Sequence, residues 1–200
     1  DDASLDLIAA SWLLTGDKPH RLSYTFKSYT RYSEQRHSYA VLRSDVAALD
    51  MTSELKRIAR TRSDKVETGG LIFGEIDDAH QVIWVDSVSG PPPDSTSSDM
   101  QFLCGTAGTK KLNAFKSAAS GKSSRFIGIW HTHPISRGRP SQEDLHAMLE
   151  LLHLQDFPPR QVVMLIVGYA ATRREENYYL YRRNEFVIIA QHEEEDQRQQ

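Results

Sequence analysis

The sequence has a single cysteine, no long hydrophobic run and no large excess of charge of either sign. Because Cys104 is the only cysteine, the chain can form neither an internal disulfide nor a cysteine-based zinc site, and we expect a reducing, cytoplasmic location. The longest apolar runs, such as Val162–Val167, are far shorter than the roughly 18–20 residues of a membrane span. No signal-peptide pattern is present. These absences argue against a disulfide scaffold and a membrane protein.

The charges nearly balance, with 24 Lys and Arg against 27 Asp and Glu and a formal net charge of −3. Because nucleic acids and anionic membranes attract strongly basic surfaces, we expect neither as a partner. The 200 residues, 39% of them hydrophobic, suffice for one well-packed domain with an extension. The chain begins at Asp1 rather than at Met, so we expect it to come from a longer polypeptide.

The apolar pattern predicts an α+β domain over residues 41–190, preceded by an extension at 1–40 and followed by a disordered charged tail at 191–200. Alternating apolar residues indicate strands, and apolar residues at i, i+3, i+4 and i+7 indicate helices. The pattern predicts strands at Arg21–Tyr29, Tyr32–Leu42, Thr68–Ile76, Gln81–Val88, Phe126–Trp130, Val162–Val167, Asn177–Tyr181 and Glu185–Ile189, and helices at Leu5–Gly16, Thr52–Thr61, Thr109–Ala119 and Leu145–Leu152.

Two histidines and an aspartate have the spacing of a metal site. His131 and His133 stand two residues apart at the predicted end of a strand, so both imidazoles project from the same face. Pro134 ends the strand because it has no N–H to donate, and a loop leads to Asp144 in the first turn of the next helix. Two neutral imidazoles and one carboxylate leave a fourth position for water, as in catalytic zinc sites.

Each half of this pattern also has an ordinary structural explanation. Histidines at i and i+2 occur at polar strand edges, and Ser141-x-x-Asp144 before an apolar run is typical of a helix capping box. The two halves together, with Pro134 between them, favour metal binding. Capping is compatible with it, because a first-turn carboxylate can still point outward to a metal. Cys104 is interpreted as a small buried residue rather than a nucleophile.

A metal-dependent hydrolase also needs a group that accepts the proton of water. Glu67 is the candidate, since it stands where a polar segment enters an apolar strand. Gly69 and Gly70 follow it and permit a close backbone approach. Glu67 precedes His131 by 64 residues, so only the fold can bring the two side chains together.

These residues resemble the signature of a known family. Glu67 before a Gly-Leu-Ile-x-Gly-like strand, followed by His131-x-His133-Pro134, six residues and Ser141-x-x-Asp144, is similar to the JAMM (MPN+, or JAB-domain) metalloproteases. The resemblance covers about residues 40–190. Further similarities, in Glu67-Thr68-Gly69-Gly70, Ser89-Gly90-Pro91-Pro92 and Gly128–Pro134, are to the prokaryotic JAB branch associated with bacterial ubiquitin-like conjugation operons.

The resemblance implies a JAB/MPN fold of the cytidine-deaminase-like type, a curved mixed β-sheet flanked by helices. It implies that His131, His133 and Asp144 bind Zn²⁺ and that Glu67 is the general acid/base. It also implies that Ser141 positions the water and stabilises the oxyanion. Family members cleave isopeptide or peptide bonds after the C-terminal glycine of ubiquitin or a ubiquitin-like protein.

The expected activity is therefore that of a zinc-dependent isopeptidase or peptidase acting on a ubiquitin-like protein or its conjugate. E1- or E2-like proteins of the same system are expected partners, and antiviral defence is the expected setting. Two alternatives are a non-catalytic MPN scaffold, which usually lacks metal ligands, and a JAB-fold protein acting in DNA metabolism. Residues 1–40 are either an extension packed on the catalytic domain or the tail of an upstream E1-like domain.

Overall fold

A computed structural model of the chain describes residues 20–29, 34–60, 65–120, 124–134, 138–152, 159–170, 173–182 and 185–192. The predicted helix at 5–16 and residues 193–200 of the predicted tail lie outside these ranges. No helix among the described residues is both long and apolar enough to cross a membrane.

Ten strands and three helices are described. The strands are β1 (His20–Tyr29), β2 (Glu34–Arg43), β3 (Gly69–Asp77), β4 (Val82–Val88), β5 (Thr96–Ser97), β6 (Phe102–Leu103), β7 (Arg125–His133), β8 (Gln161–Ala170), β9 (Arg173–Arg182) and β10 (Glu185–His192). The helices are α1 (Asp45–Arg60), α2 (Thr109–Ala119) and α3 (Gln142–Leu152).

Eight of the strands form one curved sheet in the order β1-β10-β9-β8-β7-β3-β4-β2, and β1 pairs with β2 to close it into a barrel. The β2–β4 and β7–β8 pairs are parallel and the other pairs are antiparallel, so the sheet is mixed. Strands β5 and β6 form a separate two-stranded sheet. The predicted α+β class, a curved mixed sheet with flanking helices, is confirmed.

The two faces of the sheet are packed differently. The inner face holds a large apolar cluster that includes Trp130, Leu165 and Tyr178. The outer face of β8 and β9 packs against α3 through a second cluster, which includes Met148 and Met164. Because side chains alternate along a strand, the neighbours of Trp130 on β7 point to the α3 side of the sheet.

Several predicted boundaries differ from the structure. Helix α1 begins at Asp45, not Thr52, because the Oγ of Ser44 accepts the N–H of Ala47 at 3.1 Å and caps the helix. Strand β7 runs to His133, as Pro134 predicts, although its apolar run stops at Trp130. Strand β10 reaches His192, two residues into the predicted tail. Strand β2 crosses the predicted boundary at residue 40 and pairs with β4. The division into extension and catalytic domain stays a prediction.

Candidate metal and catalytic site

The two histidines lie at the carboxyl end of β7, between β3 and β8. His131 pairs with Gly69 on one side and with Ile166 on the other, so strand pairing fixes the backbone of this segment on both sides. Both imidazoles point to the α3 side and are buried, at 2% and 6% exposure. The Nε2 atoms of His131 and His133 are 3.0 Å apart. The predicted placement of two imidazoles around one point is therefore what the structure shows.

Asp144 meets these imidazoles from the first turn of α3. Its Oδ1 lies 3.1 Å from the Nε2 of His131, and its Oδ2 lies 3.4 Å from the Nε2 of His133. At the same time Asp144 Oδ2 accepts the N–H of Ser141 at 2.7 Å and its hydroxyl at 2.9 Å, while the N–H of Asp144 donates to Ser141 Oγ at 3.1 Å. This reciprocal pair is a capping box. Capping and contact with the histidines occur together.

Glu67 reaches the same point from the segment that precedes β3. Its Oε1 is 3.8 Å from the Nε2 of His133. The backbone N–H of Glu67 donates to the carbonyl of Ser98 at 2.7 Å, and its carboxylate accepts the backbone N–H of Phe102. The loop after β4 thus holds Glu67 beside the histidines. The structure brings together all five predicted site residues, although the role of each stays a prediction.

Thr132, between the two histidines, was not among the predicted site residues. Its N–H donates to the carbonyl of Thr68 at 2.7 Å, and its Oγ1 accepts the N–H of Thr68 at 3.1 Å. Both groups are buried. Thr132 therefore ties the residue after Glu67 to the residue between the histidines. Strand alternation predicts that Thr132 lies on the opposite face of β7 from the histidines. It does not predict that Thr68 is its hydrogen-bond partner.

The two glycines that follow Glu67 lie where other chain segments approach closely. A Cβ at Gly69 would stand 2.1 Å from the carbonyl oxygen of Trp130, and a Cβ at Gly70 would stand 2.0 Å from that of Ser89. The Ser89 carbonyl is itself held by the indole N–H of Trp130 at 2.9 Å. Only residues without side chains allow these contacts, which explains the Gly-Gly pair.

The two carboxylates at the site have opposite pKa shifts. Burial raises the pKa of Glu67 above its ordinary value, and the attraction of His133 and His131 offsets only part of this rise. Burial acts in the same direction on Asp144, but hydrogen bonds from His131 and His133 outweigh it and hold its pKa well below the usual range. Its low pKa favours the anionic form of Asp144, whereas Glu67 is the more readily protonated of the two.

The donor set fits a divalent metal of the zinc type. One nitrogen each from His131 and His133 and one oxygen from Asp144 lie within 4.8 Å of one another. Two imidazoles with one carboxylate form a common ligand set of catalytic zinc. Glu67 stands beside this group of three as a second carboxylate. Cys104 lies outside this group and is half-buried rather than buried as expected. Burial raises its pKa to about 11, which favours the thiol form over a nucleophilic thiolate.

The chain is similar to known proteins in sequence and in structure. The chain is 24% identical over 137 residues to a CD-NTase/cGAS isopeptidase of Enterobacter hormaechei subsp. hoffmannii (strain UCI 50), covering 68% of this chain and 72% of the relative. It is similar to the solution structure of protein DSY2949 from Desulfitobacterium hafniense, with 21% identity, a TM-score of 0.42, and coverage of 74% of this chain and 88% of that one. Residues 50–181 match the model of the prokaryotic homologs of the JAB domain. The chain therefore belongs to the prokaryotic JAB-domain family.

Proposed function

We propose that this chain is a zinc-dependent isopeptidase that cleaves after the C-terminal glycine of a ubiquitin-like protein or its conjugates. The observation that carries the proposal is the convergence of His131, His133 and Asp144 on one point, with Glu67 Oε1 only 3.8 Å from His133 Nε2. The isopeptidase part is supported by the relative of that name. The substrate class rests on the resemblance of the motif alone.

The residues that would hold the metal are His131, His133 and Asp144. Bound zinc would lower the pKa of water from about 15.7 towards about 7 and polarise the scissile carbonyl. The low pKa of Asp144 keeps this ligand ionised. The imidazoles must be neutral to bind a metal. Metal binding by the site is therefore expected to weaken as the pH falls.

Glu67 is the proposed proton carrier. It accepts a proton from the attacking water as the water oxygen bonds to the carbonyl carbon, and it gives that proton to the amine nitrogen as the C–N bond breaks. One water is consumed, and a carboxylic acid and a free amine are formed. A raised pKa suits a group that must both take and release a proton. The bonds to Ser98 and Phe102 hold its backbone and carboxylate in place.

Ser141 is proposed to act in two ways. Its hydroxyl donates to Asp144 Oδ2 and so fixes the direction of that carboxylate. The same hydroxyl, turned towards the substrate, would donate to the developing oxyanion. Asp144 would then keep the backbone N–H of Ser141 at 2.7 Å. Loss of an oxyanion donor typically lowers kcat about 100- to 1000-fold.

The test is cleavage of defined conjugates by purified protein loaded with zinc. The name of the relative makes a CD-NTase conjugated to a ubiquitin-like protein the first substrate, and E1- and E2-like proteins the proposed makers of that conjugate. Wild-type protein is expected to release the intact modifier. Glu67→Gln is expected to lose about 100- to 10,000-fold in rate while still binding zinc.

Glu75→Gln is the matched control, because Glu75 is an exposed glutamate in β3 and the chemical change is the same. It is expected to leave the rate unchanged. Equal cleavage by wild type and Glu67→Gln would remove Glu67 from the mechanism. If the wild-type protein neither retains nor takes up zinc, the non-catalytic scaffold is favoured. Salt-sensitive DNA binding would favour the role in DNA metabolism.

A further inference from the structure

The loop between His133 and Ser141 joins the two halves of the metal site, and its residue Gly138 is hydrogen-bonded to the sheet. Gly138 is buried, and its carbonyl accepts two hydrogen bonds from β9. One comes from the Nδ2 of Asn177 at 3.0 Å, and the other comes from the Tyr179 hydroxyl. Neither residue belongs to the motif that indicated the site.

Asn177 and Tyr179 reach this loop because they lie on the same face of the sheet as the histidines. Ile166 of β8 pairs with His131 on one side and with Asn177 on the other. Paired residues of neighbouring strands point to the same face. Asn177 therefore stands two strands from His131 in the same row, and Tyr179 stands one pleat further along β9.

The contact at Gly138 is tight. A Cβ on this residue would lie 2.5 Å from the Nδ2 of Asn177 and 3.1 Å from the backbone oxygen of Ile166. A side chain at Gly138 would therefore require the Asn177 amide or the backbone of residue 138 to shift. Burial raises the pKa of Tyr179 above its ordinary value, so its hydroxyl keeps its proton and remains a donor at neutral pH.

The capping box orders the start of α3 internally but does not attach it to the sheet. The contact at Gly138 supplies such an attachment. Ser141 and Asp144 fix each other within the first turn of α3, but those bonds are internal to the helix start and do not fix it relative to β7. The buried packing of α3 lies further along, at Met148 and Leu152. Gly138 lies only three residues before Ser141, and its hydrogen bonds attach the chain to β9 close to the start of α3.

We propose that Asn177 and Tyr179 are positioning residues of the metal site, acting through Gly138 to hold Asp144 against His131 and His133. The inference rests on the proposed function insofar as the three ligands bind zinc. It adds two residues of β9 that lie outside the set of three candidate ligands. Residues that hydrogen-bond directly to a metal ligand typically contribute 10- to 100-fold to metal affinity or activity, and Asn177 and Tyr179 act one contact further away, through Gly138.

The experiment measures zinc affinity by competition with a chelator, on purified protein, together with the visible absorption of Co²⁺ bound in place of zinc. Tyr179→Phe removes one hydroxyl, and we expect about a tenfold loss of affinity. Asn177→Leu combined with Tyr179→Phe leaves the Gly138 carbonyl without both donors, and we expect a loss of about 100-fold and an altered Co²⁺ spectrum. Gly138→Ala, which displaces the loop, should act in the same direction.

Tyr181→Phe is the matched control. Tyr181 is the next residue on the same face of β9, is equally buried, and its hydroxyl has no hydrogen-bond partner among the described residues. This variant should bind zinc as wild type does. If wild type binds zinc and the Tyr179 and Asn177 variants bind it equally well while folded, the positioning role is overturned and the proposed function stands. A wild-type protein that binds no zinc would overturn both.

Discussion

The two halves of the site are held by different kinds of structure. His131 and His133 are buried in β7, a strand paired on both sides, whereas Ser141 is exposed and Asp144 half-buried at a helix start. We call these the strand half and the helix half. The strand half is set by the register of the sheet. The helix half is set by local capping and by the loop contact at Gly138.

This difference predicts how the halves respond to mutation. A change in the strand half disturbs groups that are buried in the sheet, so it should alter stability and metal binding together. A change in the helix half acts on exposed or half-buried groups, so it should alter metal binding with a small effect on stability. The following predictions test that contrast, beginning with the largest effect.

Removing a ligand from the strand half should have the largest effect. His131→Ala deletes one of three donors, so we expect zinc affinity to fall by more than the 10- to 100-fold that is typical when a residue bonded to a ligand is changed. Because His131 is buried, the metal-free protein should also unfold at a lower temperature. Chelator competition and thermal unfolding measure the two quantities. Tight zinc binding by the variant would contradict the assignment of His131 as a ligand.

Acidification should release the metal through the strand half first. The depressed pKa of Asp144 keeps this carboxylate ionised on mild acidification, so its contribution to metal binding persists. Binding zinc requires neutral imidazoles, so protons and the metal compete for both ring nitrogens. We expect affinity to fall by up to about 100-fold per pH unit on acidification, because two protons compete with one metal ion. Affinity independent of pH between 7.5 and 5.5 would exclude both imidazoles as ligands.

Thr132 should show the coupling of stability and function in the strand half. Thr132→Val removes the acceptor of the buried Thr68 N–H, which should cost about 1–3 kcal/mol of stability, or about 2–4 °C in Tm for each kcal/mol. Loosening of Thr68 should also lower kcat, because Glu67 is its neighbour. Thr132→Ser keeps the acceptor and should restore both. A valine variant with unchanged Tm and kcat would show that the hydrogen bond between Thr132 and Thr68 contributes neither to stability nor to catalysis.

The smallest effect on stability is expected in the helix half. Ser141→Ala removes an N-cap and should cost about 0.5–2 kcal/mol, with a loss of zinc affinity because Asp144 is no longer oriented. Ser44→Ala removes the cap of α1 and serves as the control. It should lose at least as much stability, since Ser44 is buried, and bind zinc normally. Equal zinc affinities for the two variants would contradict an orienting role for Ser141.

Part of the fold was predictable because it follows from local periodicity. The helix at Thr109–Ala119 has its predicted bounds, and the apolar runs became strands of the barrel. The earlier start of α1 had a local signal too, since Ser44 is a favoured capping residue. The end of β7 at His133 was predictable from Pro134, although the apolar pattern of the strand stops at Trp130.

The sequence by itself determined the short-range parts of the site. Strand alternation placed His131 and His133 on one face, and helical geometry placed Asp144 in the same turn as Ser141. Only the tertiary structure decided that Glu67 lies beside His133, and that Asn177 and Tyr179 hold the loop. Those contacts span 39 to 66 residues of chain. They depend on which strands are neighbours and in which register they pair, and that is set by packing of the whole barrel rather than by local preference.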